Sequence, residues 1–284
     1  MAHRVFLPLD GPDVIPALGI EFACPYEIVS PAGARAVLND PADRDFVGYL
    51  SGDDAVTGLE RAGVRENRED LAEGDGSVQG HNRYSGLAWT LKGILLPDEY
   101  ASTAYQAKLL AATNAMRADG LLRWYPRTPG VPPVQVRFRQ QQATRVTGRR
   151  PKGFFVAGAC EDPLVYSQEV HEVFLSGDAG SSAFNLGNTD VPVDLTIAGP
   201  TVSAPVLHND TTGRQIAFNR ALTSTETLAV STNPRRPRVL LNGAPAAGLL
   251  AYLASDELTL APGPNVLRLA GGASGRVTWR DGWG

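Results

Sequence analysis

Alternating apolar and polar positions dominate the second half of the chain. A period of two places every other side chain on the same face of a strand, so one face can pack inward while the other meets water. Turn residues fill the gaps at 209–213, 242–243 and 261–265. Many short strands without an intervening helix predict a β-sandwich. The predicted strands are residues 193–197, 215–218, 226–230, 238–241, 257–260, 266–269 and 275–279.

The last strands of this half carry its most distinctive residues. Pro262 to Asn265 predict a tight turn, with the next strand starting at Val266. Trp279 shares a strand face with Val277, so we expect it to close the core. Trp283 follows a glycine near the chain end, where core packing and ligand stacking both stay open.

The front half contains one helical pattern among strand patterns. A stripe of Tyr105, Leu109, Ala112 and Met116 predicts a helix over about 98–119, capped by Asp98 or Ser102 and ended by Gly120. Residues 84–96 predict a mostly buried strand, and 121–125, 134–139 and 153–158 predict further strands. Residues 176–183, rich in Gly and Ser, predict a flexible loop.

These patterns predict a mainly β protein of two domains, because 284 residues exceed what one ordinary core fills. Residues 1–162 are expected to form a β domain with one helix packed on it, and 163–284 a β-sandwich. A net charge of −4 argues against bulk nucleic-acid binding, and two cysteines give no disulfide framework. The chain shows no signal-peptide pattern and no apolar run of membrane-spanning length, so we expect synthesis in a cytoplasm.

Charge is distributed unevenly along the front half. Residues 39–75 hold eleven Asp or Glu against four Arg, whereas 121–152 hold eight basic residues and no acidic ones. Two solvated faces, a contact between copies, and contact with nucleic acid are the interpretations left open. For a contact between copies, the candidate interface residues are Asp53, Asp54, Arg137, Arg139, Arg149 and Arg150.

Motifs for catalysis are missing from the sequence. The four histidines have no metal-ligand spacing, and residues 243–248 have the glycine spacing of a phosphate loop without the Lys-Ser/Thr that follows it. We therefore predict no catalytic, cofactor or metal site, and a binding or assembly role. The alternatives are a carbohydrate-binding sandwich using Trp283 and Tyr252, and a hydrolase whose carboxylates meet only in space.

Several segments, in this order and spacing, resemble distal tail proteins, also called siphovirus-type tail components or minor tail proteins, of long-tailed phages with actinobacterial hosts. The similarity extends over nearly the whole chain, and no single motif in it is specific. The segments include Val56-Thr-Gly-Leu, Tyr84-Ser-Gly-Leu-Ala-Trp, Glu161-Asp-Pro-Leu-Val-Tyr, Asn209-Asp-Thr-Thr-Gly, Leu260-Ala-Pro-Gly-Pro-Asn and Val277-Thr-Trp-Arg-Asp.

This resemblance implies a structural protein of the virion, located at the tail tip. The front domain would close into a hexameric ring that caps the tail tube, and a galectin-like back domain would serve as a docking platform. The implied partners are other copies of the chain, the tail tube protein, the tail-tip hub or tail-associated protein, the tape measure protein and receptor-binding proteins. Genome DNA would only pass through the channel, and no membrane, cofactor or catalytic residue is implied.

Overall fold

A computed structural model of the chain describes residues 14–15, 20–21, 25–51, 54–59, 64–65, 68–70, 77–79, 83–84, 86–95, 103–125, 132–143, 152–255 and 257–284. The chain divides into two compact units, Met1–Leu164 and Val165–Gly284. They are called the front unit and the back unit below.

The described part of the front unit contains one helix and many short strands. The elements are β1 Val14–Ile15, β2 Ile20–Glu21, β3 Tyr26–Val29, β4 Arg35–Leu38, β5 Phe46–Leu50, β6 Val56–Thr57, β7 Val64–Arg65, β8 Arg68–Asp70, β9 Ser77–Gln79, β10 Arg83–Tyr84, β11 Leu87–Leu95, α1 Thr103–Met116, β12 Gly120–Trp124, β13 Val134–Ala143 and β14 Lys152–Cys160.

Seven of these strands close into a barrel. Their order is β3, β4, β5, β11, β14, β13 and β12, and β12 closes the circuit because it pairs with both β13 and β3. All neighbours are antiparallel except β4 and β5, which are parallel. Closure gives each barrel strand a neighbour on both sides, so that no strand of the circuit is an open sheet edge.

Side chains at alternate strand positions fill the barrel interior. Val134, Val136 and Phe138 of the predicted strand are buried, and Trp89 meets Phe138 edge to face at 4.8 Å between ring centroids. The predicted strand at 84–96 is present as β11, which buries five of its nine residues in alternation. Within the acidic stretch, Val47 and Leu50 of β5 are buried in the barrel.

The helix is present but shorter than predicted. It ends at Met116, and Gly120 is already the first residue of β12, so Gly120 starts a strand instead of ending the helix. The expected start, 98–102, lies outside the described residues. Ala112 and Met116 of the predicted stripe are buried, and α1 packs against β3, β4 and β5.

The back unit consists of strands and two short 3₁₀ helices. They are β15 Val165–Ser167, β16 His171–Ser176, β17 Ser181–Asn185, β18 Val191–Pro192, β19 Asp194–Ala198, β20 Val206–Asn209, β21 Arg214–Ala217, β22 Thr227–Ser231, β23 Arg238–Leu241, β24 Ala244–Pro245, η1 Ala247–Leu249, η2 Tyr252–Ala254, β25 Thr259–Leu260, β26 Gly263–Ala270, β27 Ser274–Trp279 and β28 Gly282–Trp283.

Two antiparallel sheets share one apolar core in this unit. The larger has the order β16, β27, β19, β22, β23, β24, and the smaller has the order β17, β26, β20, β21. Ile197 and Leu228 from the larger sheet and Leu207 and Leu267 from the smaller are completely buried in that core. The arrangement is a β-sandwich. The predicted mainly β fold with one helix is therefore confirmed.

Two local predictions in the back unit were wrong. The strand β26 starts at Gly263, so Pro264 and Asn265 lie in the strand and not in the turn. The predicted loop at 176–183 is also shorter, because Ser181 already begins β17. Both errors arose at glycines and prolines, which also occur at strand ends.

Candidate assembly surfaces

A row of polar side chains crosses four neighbouring barrel strands. Glu27, although only 5% exposed, accepts hydrogen bonds from Arg35 of β4 and from Arg123 of β12, the latter at 3.3 Å. Strand register produces this row, because Arg123 lies opposite Glu27 on one side and Gln135 on the other. Arg123 also donates to Gln135 at 3.3 Å. The buried carboxylate is thus paired and hydrogen-bonded, as burial of a charge requires.

Some charges of the acidic and basic stretches form ion pairs within the front unit. Arg35 forms ion pairs with Asp45 at 2.7 Å and with Asp43 at 3.2 Å, so these members of the acidic stretch are bound within the chain. Arg139 of the basic stretch pairs with Glu161 at 2.8 Å, and both side chains are more than half exposed. These charges therefore have partners within the front unit, independently of any contact between copies.

The predicted interface residues are only partly described. Arg137 is exposed on the outer face of β13, and Asp54 is exposed in the turn before β6. Asp53, Arg149 and Arg150 lie outside the described residues. Their grouping into one interface stays a prediction.

The closing segment of the back unit is anchored by a buried aspartate. Asp281 is completely buried, and its two carboxylate oxygens bind His171 at 2.8 Å and the Leu186 N–H at 2.9 Å. Trp279 donates its indole N–H to the Phe184 carbonyl at 3.1 Å, and its ring lies 5.6 Å from that of His171. Trp279 is therefore a core residue, as expected. The sequence drew attention to Trp-Arg-Asp-Gly-Trp, but reasoning from it missed the pairing of Asp281 with His171.

The two residues of the predicted ligand platform lie on different edges. Trp283 belongs to β28, which pairs with β15, and the neighbouring Gly282 carbonyl accepts from Asn188, shortly after β17. Tyr252 belongs to η2, which packs against β21. Because β17 and β21 are opposite edge strands of the smaller sheet, the structure does not bring Trp283 and Tyr252 together.

Most of the sandwich matches the model of a known protein family. Residues 186–283 match the family model of the siphovirus-type tail component, C-terminal domain. This sandwich is a siphovirus tail component domain. The resemblance stated from the sequence is confirmed at this level, whereas an actinobacterial host stays a prediction.

Solved structures share the fold of this chain across both units. The SPP1 Dit protein, described as a paradigm of the hub adsorption apparatus in phages infecting Gram-positive bacteria, matches with a TM-score of 0.56 at 14% identity. The match covers 81% of this chain and 92% of that one. A chain of the phage P2 baseplate in its activated, calcium-bound conformation matches with a TM-score of 0.52 at 9% identity, covering 91% and 97%. No curated protein sequence matches the chain.

Two groups that could take part in chemistry have shifted pKa values. Burial raises the pKa of the Cys160 thiol to about 12, which disfavours the reactive thiolate. Burial, together with Arg268, lowers the pKa of His208. Among the described residues, no group of three or more His, Cys, Asp or Glu side chains is arranged to hold a metal ion. No helix within the described ranges is long and apolar enough to cross a membrane.

Proposed function

We propose that this tail component is a structural protein of the siphovirus tail tip, where its front unit forms a hexameric ring at the distal end of the tail tube. The back sandwich would act as a docking platform, and the ring would join the tube protein to the tail-tip hub. The observation that carries the proposal is the family match of the sandwich, supported by likeness of fold to SPP1 Dit over both units.

Ring closure needs only one contact repeated head to tail between identical copies. On the front unit, the exposed Arg137 of β13 and the exposed Asp54 provide opposite charges outside the internal ion pairs of Glu27, Arg35 and Arg139. Arg149, Arg150 and Asp53 extend the same two charged stretches in the sequence. We propose that the basic stretch of one copy meets the acidic stretch of the next.

The contacts of the buried carboxylates support a role without catalysis. Glu27 and Asp281 are buried carboxylates, the type of residue that enzymes recruit for acid–base chemistry. Each is instead held by partners within its own unit, Glu27 by two arginines and Asp281 by a histidine and a backbone N–H. We propose that the protein works without catalysis, through its contacts in the virion tail.

Charge reversal tests the ring. Arg137→Glu is expected to raise the dissociation constant between copies about tenfold at low salt, the scale of one or two exposed ion pairs. Asp54→Lys in the same chain should restore part of the affinity. Arg117→Glu is the matched control, because Arg117 is an exposed arginine of the front unit outside the basic stretch.

The readouts are the mass of the purified chain by light scattering and negative-stain imaging of phage particles carrying it. A hexameric mass and a ring at the distal end of the tube are expected. A chain that stays monomeric at high concentration, together with particles that lack it at the tube's end, would overturn the proposal. Unchanged assembly of both Arg137→Glu and Arg149→Glu/Arg150→Glu would instead reject the charged contact alone.

Carbohydrate binding is the second candidate function, favoured by the exposure of Tyr252 at 66%. An aromatic ring on a surface can stack on a sugar. A glycan array separates the two functions. Glycan binding that is lost in Tyr252→Ala would support the carbohydrate-binding function. Tyr125→Ala, which alters an exposed tyrosine of the front unit, is the control and should keep that binding.

A further inference from the structure

Two opposite edges of the sandwich expose apolar side chains. The strands β16 and β17 end the larger and the smaller sheet on one side, and β24 and β21 end them on the other. We call the first side the acidic edge, residues 169–186, and the second the basic edge, residues 233–255. Each edge belongs to a single domain, so one copy carries both surfaces.

The acidic edge combines apolar side chains with negative charge. Phe174, Phe184 and Leu186 are 67%, 50% and 59% exposed. The carboxylates in this range are Glu169, Glu172 and Asp178, and the range contains no Lys or Arg. Glu172 forms an ion pair with Arg276 of the neighbouring strand β27 at 3.5 Å. The strands β16 and β17 are linked by the short turn at 177–180, and the Ser181 hydroxyl donates to the Phe174 carbonyl at 3.3 Å. The two strands are therefore joined at this edge, with Phe174 on the outer face of the larger sheet and Phe184 on the outer face of the smaller one.

The basic edge has the opposite charge. Its charged residues are Arg235, Arg236 and Arg238, all exposed, and the range contains no Asp or Glu. The chain then crosses from the larger to the smaller sheet, because Asn219 donates to the Leu249 carbonyl at 3.0 Å and Ala251 donates to the Ala217 carbonyl at 2.9 Å. This crossing leaves Leu253 completely exposed beside the exposed Tyr252. Exposed apolar groups of this kind mark interaction sites.

Backbone pairing is disfavoured at the basic edge. Pro245 of β24 has no N–H to donate, and proline on an edge strand blocks the addition of another strand. A partner at this edge is therefore recognised through side chains. The acidic edge presents matching side chains, apolar groups with carboxylates beside them.

We propose that the acidic edge of one copy packs against the basic edge of the next copy, so that the sandwiches of neighbouring copies form a second belt of contacts. The proposal rests on the ring proposed above, which would hold the copies together and raise the local concentration of one edge near the other. The contact is head to tail, because two different surfaces meet, and such a contact can follow the symmetry of a ring.

Disulfide trapping tests the belt directly in the full-length chain. A chain carrying both Phe174→Cys and Leu253→Cys should give a ladder of covalent oligomers under mild oxidation. A mixture of the two single variants should stop at the covalent dimer, and each single variant alone should give none. Ser224→Cys with Leu253→Cys is the control pair, because Ser224 is exposed in the turn between β21 and β22.

Charge variants then test recognition at the same edges. Replacing Arg235, Arg236 and Arg238 by Glu in the double-cysteine chain should lower the trapped fraction about tenfold, and adding Asp178→Arg should restore part of it. A ring of normal mass without a covalent ladder would overturn the belt and leave the ring proposal intact. Trapping by single variants, or by the control pair to the same extent, would also overturn it. A monomeric chain that forms no ladder would contradict both proposals.

Discussion

At the scale of single residues, buried asparagines hold the smaller sheet to the segment at 258–261. Asn209 donates to the Thr259 carbonyl at 2.8 Å and to the Asn265 side chain at 3.0 Å. Asn265 donates to the carbonyls of Ala261 and Gly263 and accepts from the Ala261 N–H at 3.0 Å. Both side chains are completely buried. Fully satisfied buried amides fix one arrangement of the chain, because each alternative leaves a polar group without a partner.

Removing the side-chain amide of Asn265 should therefore lower the unfolding free energy. Asn265→Ala leaves two carbonyls, the Ala261 N–H and the Asn209 side-chain N–H without this partner in a buried site, for an expected loss of about 2–4 kcal/mol in unfolding free energy. Asn114→Ala is the matched control on the exposed face of α1, with a change of at most about 0.7 kcal/mol. Chemical denaturation measures both, and equal losses would contradict the prediction.

A surface carboxylate gives a dependence on pH at the same scale. Hydrogen bonds from Arg220, with a further one from the Thr223 N–H, lower the pKa of Glu226 from 4.5 to about 2. Because the folded value is the lower one, the stabilisation is complete above about pH 4.5 and is lost as pH falls towards 2. Glu226→Gln should melt below the wild type at pH 7, and the gap should narrow over that window. Glu257→Gln is the control, and a gap independent of pH would contradict the assignment.

At the scale of elements, alternation located most of the central strands and the edge strand β21, but missed the edge strands β16, β17 and β24. The strands β22 and β27 follow the predicted pattern because one face is buried and the other is wet. In β17 the pattern is inverted, since Asn185 is buried and Phe184 is exposed. No local rule reveals this, because the partners of Asn185 are the carbonyls of Thr189 and Leu260, the latter far away in sequence. The candidate docking surfaces were missed for the same reason.

One strand position in the barrel should be especially intolerant of a methyl group. A Cβ on Gly158 of β14 would lie 2.5 Å from the Trp89 ring and 2.8 Å from the Phe138 ring. Gly158→Ala should destabilise the front unit by about 1–3 kcal/mol, because two packed rings must move. Gly153→Ala on the same strand is the matched control, since its nearest neighbour, the Gly93 carbonyl oxygen, is 3.8 Å away. Equal unfolding free energies for the two variants would show that the barrel interior adapts.

At the scale of the whole molecule, total charge said little about partners. A net charge of −4 conceals an acidic and a basic stretch in the front unit, and then two oppositely charged edges in the back unit. Several front-unit charges pair across adjacent strands, as Glu27 does with Arg123. Such pairings depend on strand register, which only the folded topology shows. The sequence therefore showed where the charges lie along the chain, but not which of them pair inside a unit.

The two units each have their own core, so we expect them to unfold in separate transitions. Every residue of the sandwich core lies in the back unit, and the barrel circuit closes within the front unit. Scanning calorimetry of the full chain should show two peaks. Asn265→Ala should lower only the peak of the back unit and Gly158→Ala only that of the front unit, by about 4 °C per kcal/mol lost. If either variant shifted both peaks equally, the units would be coupled, and the sandwich would not be an independently stable platform on the ring.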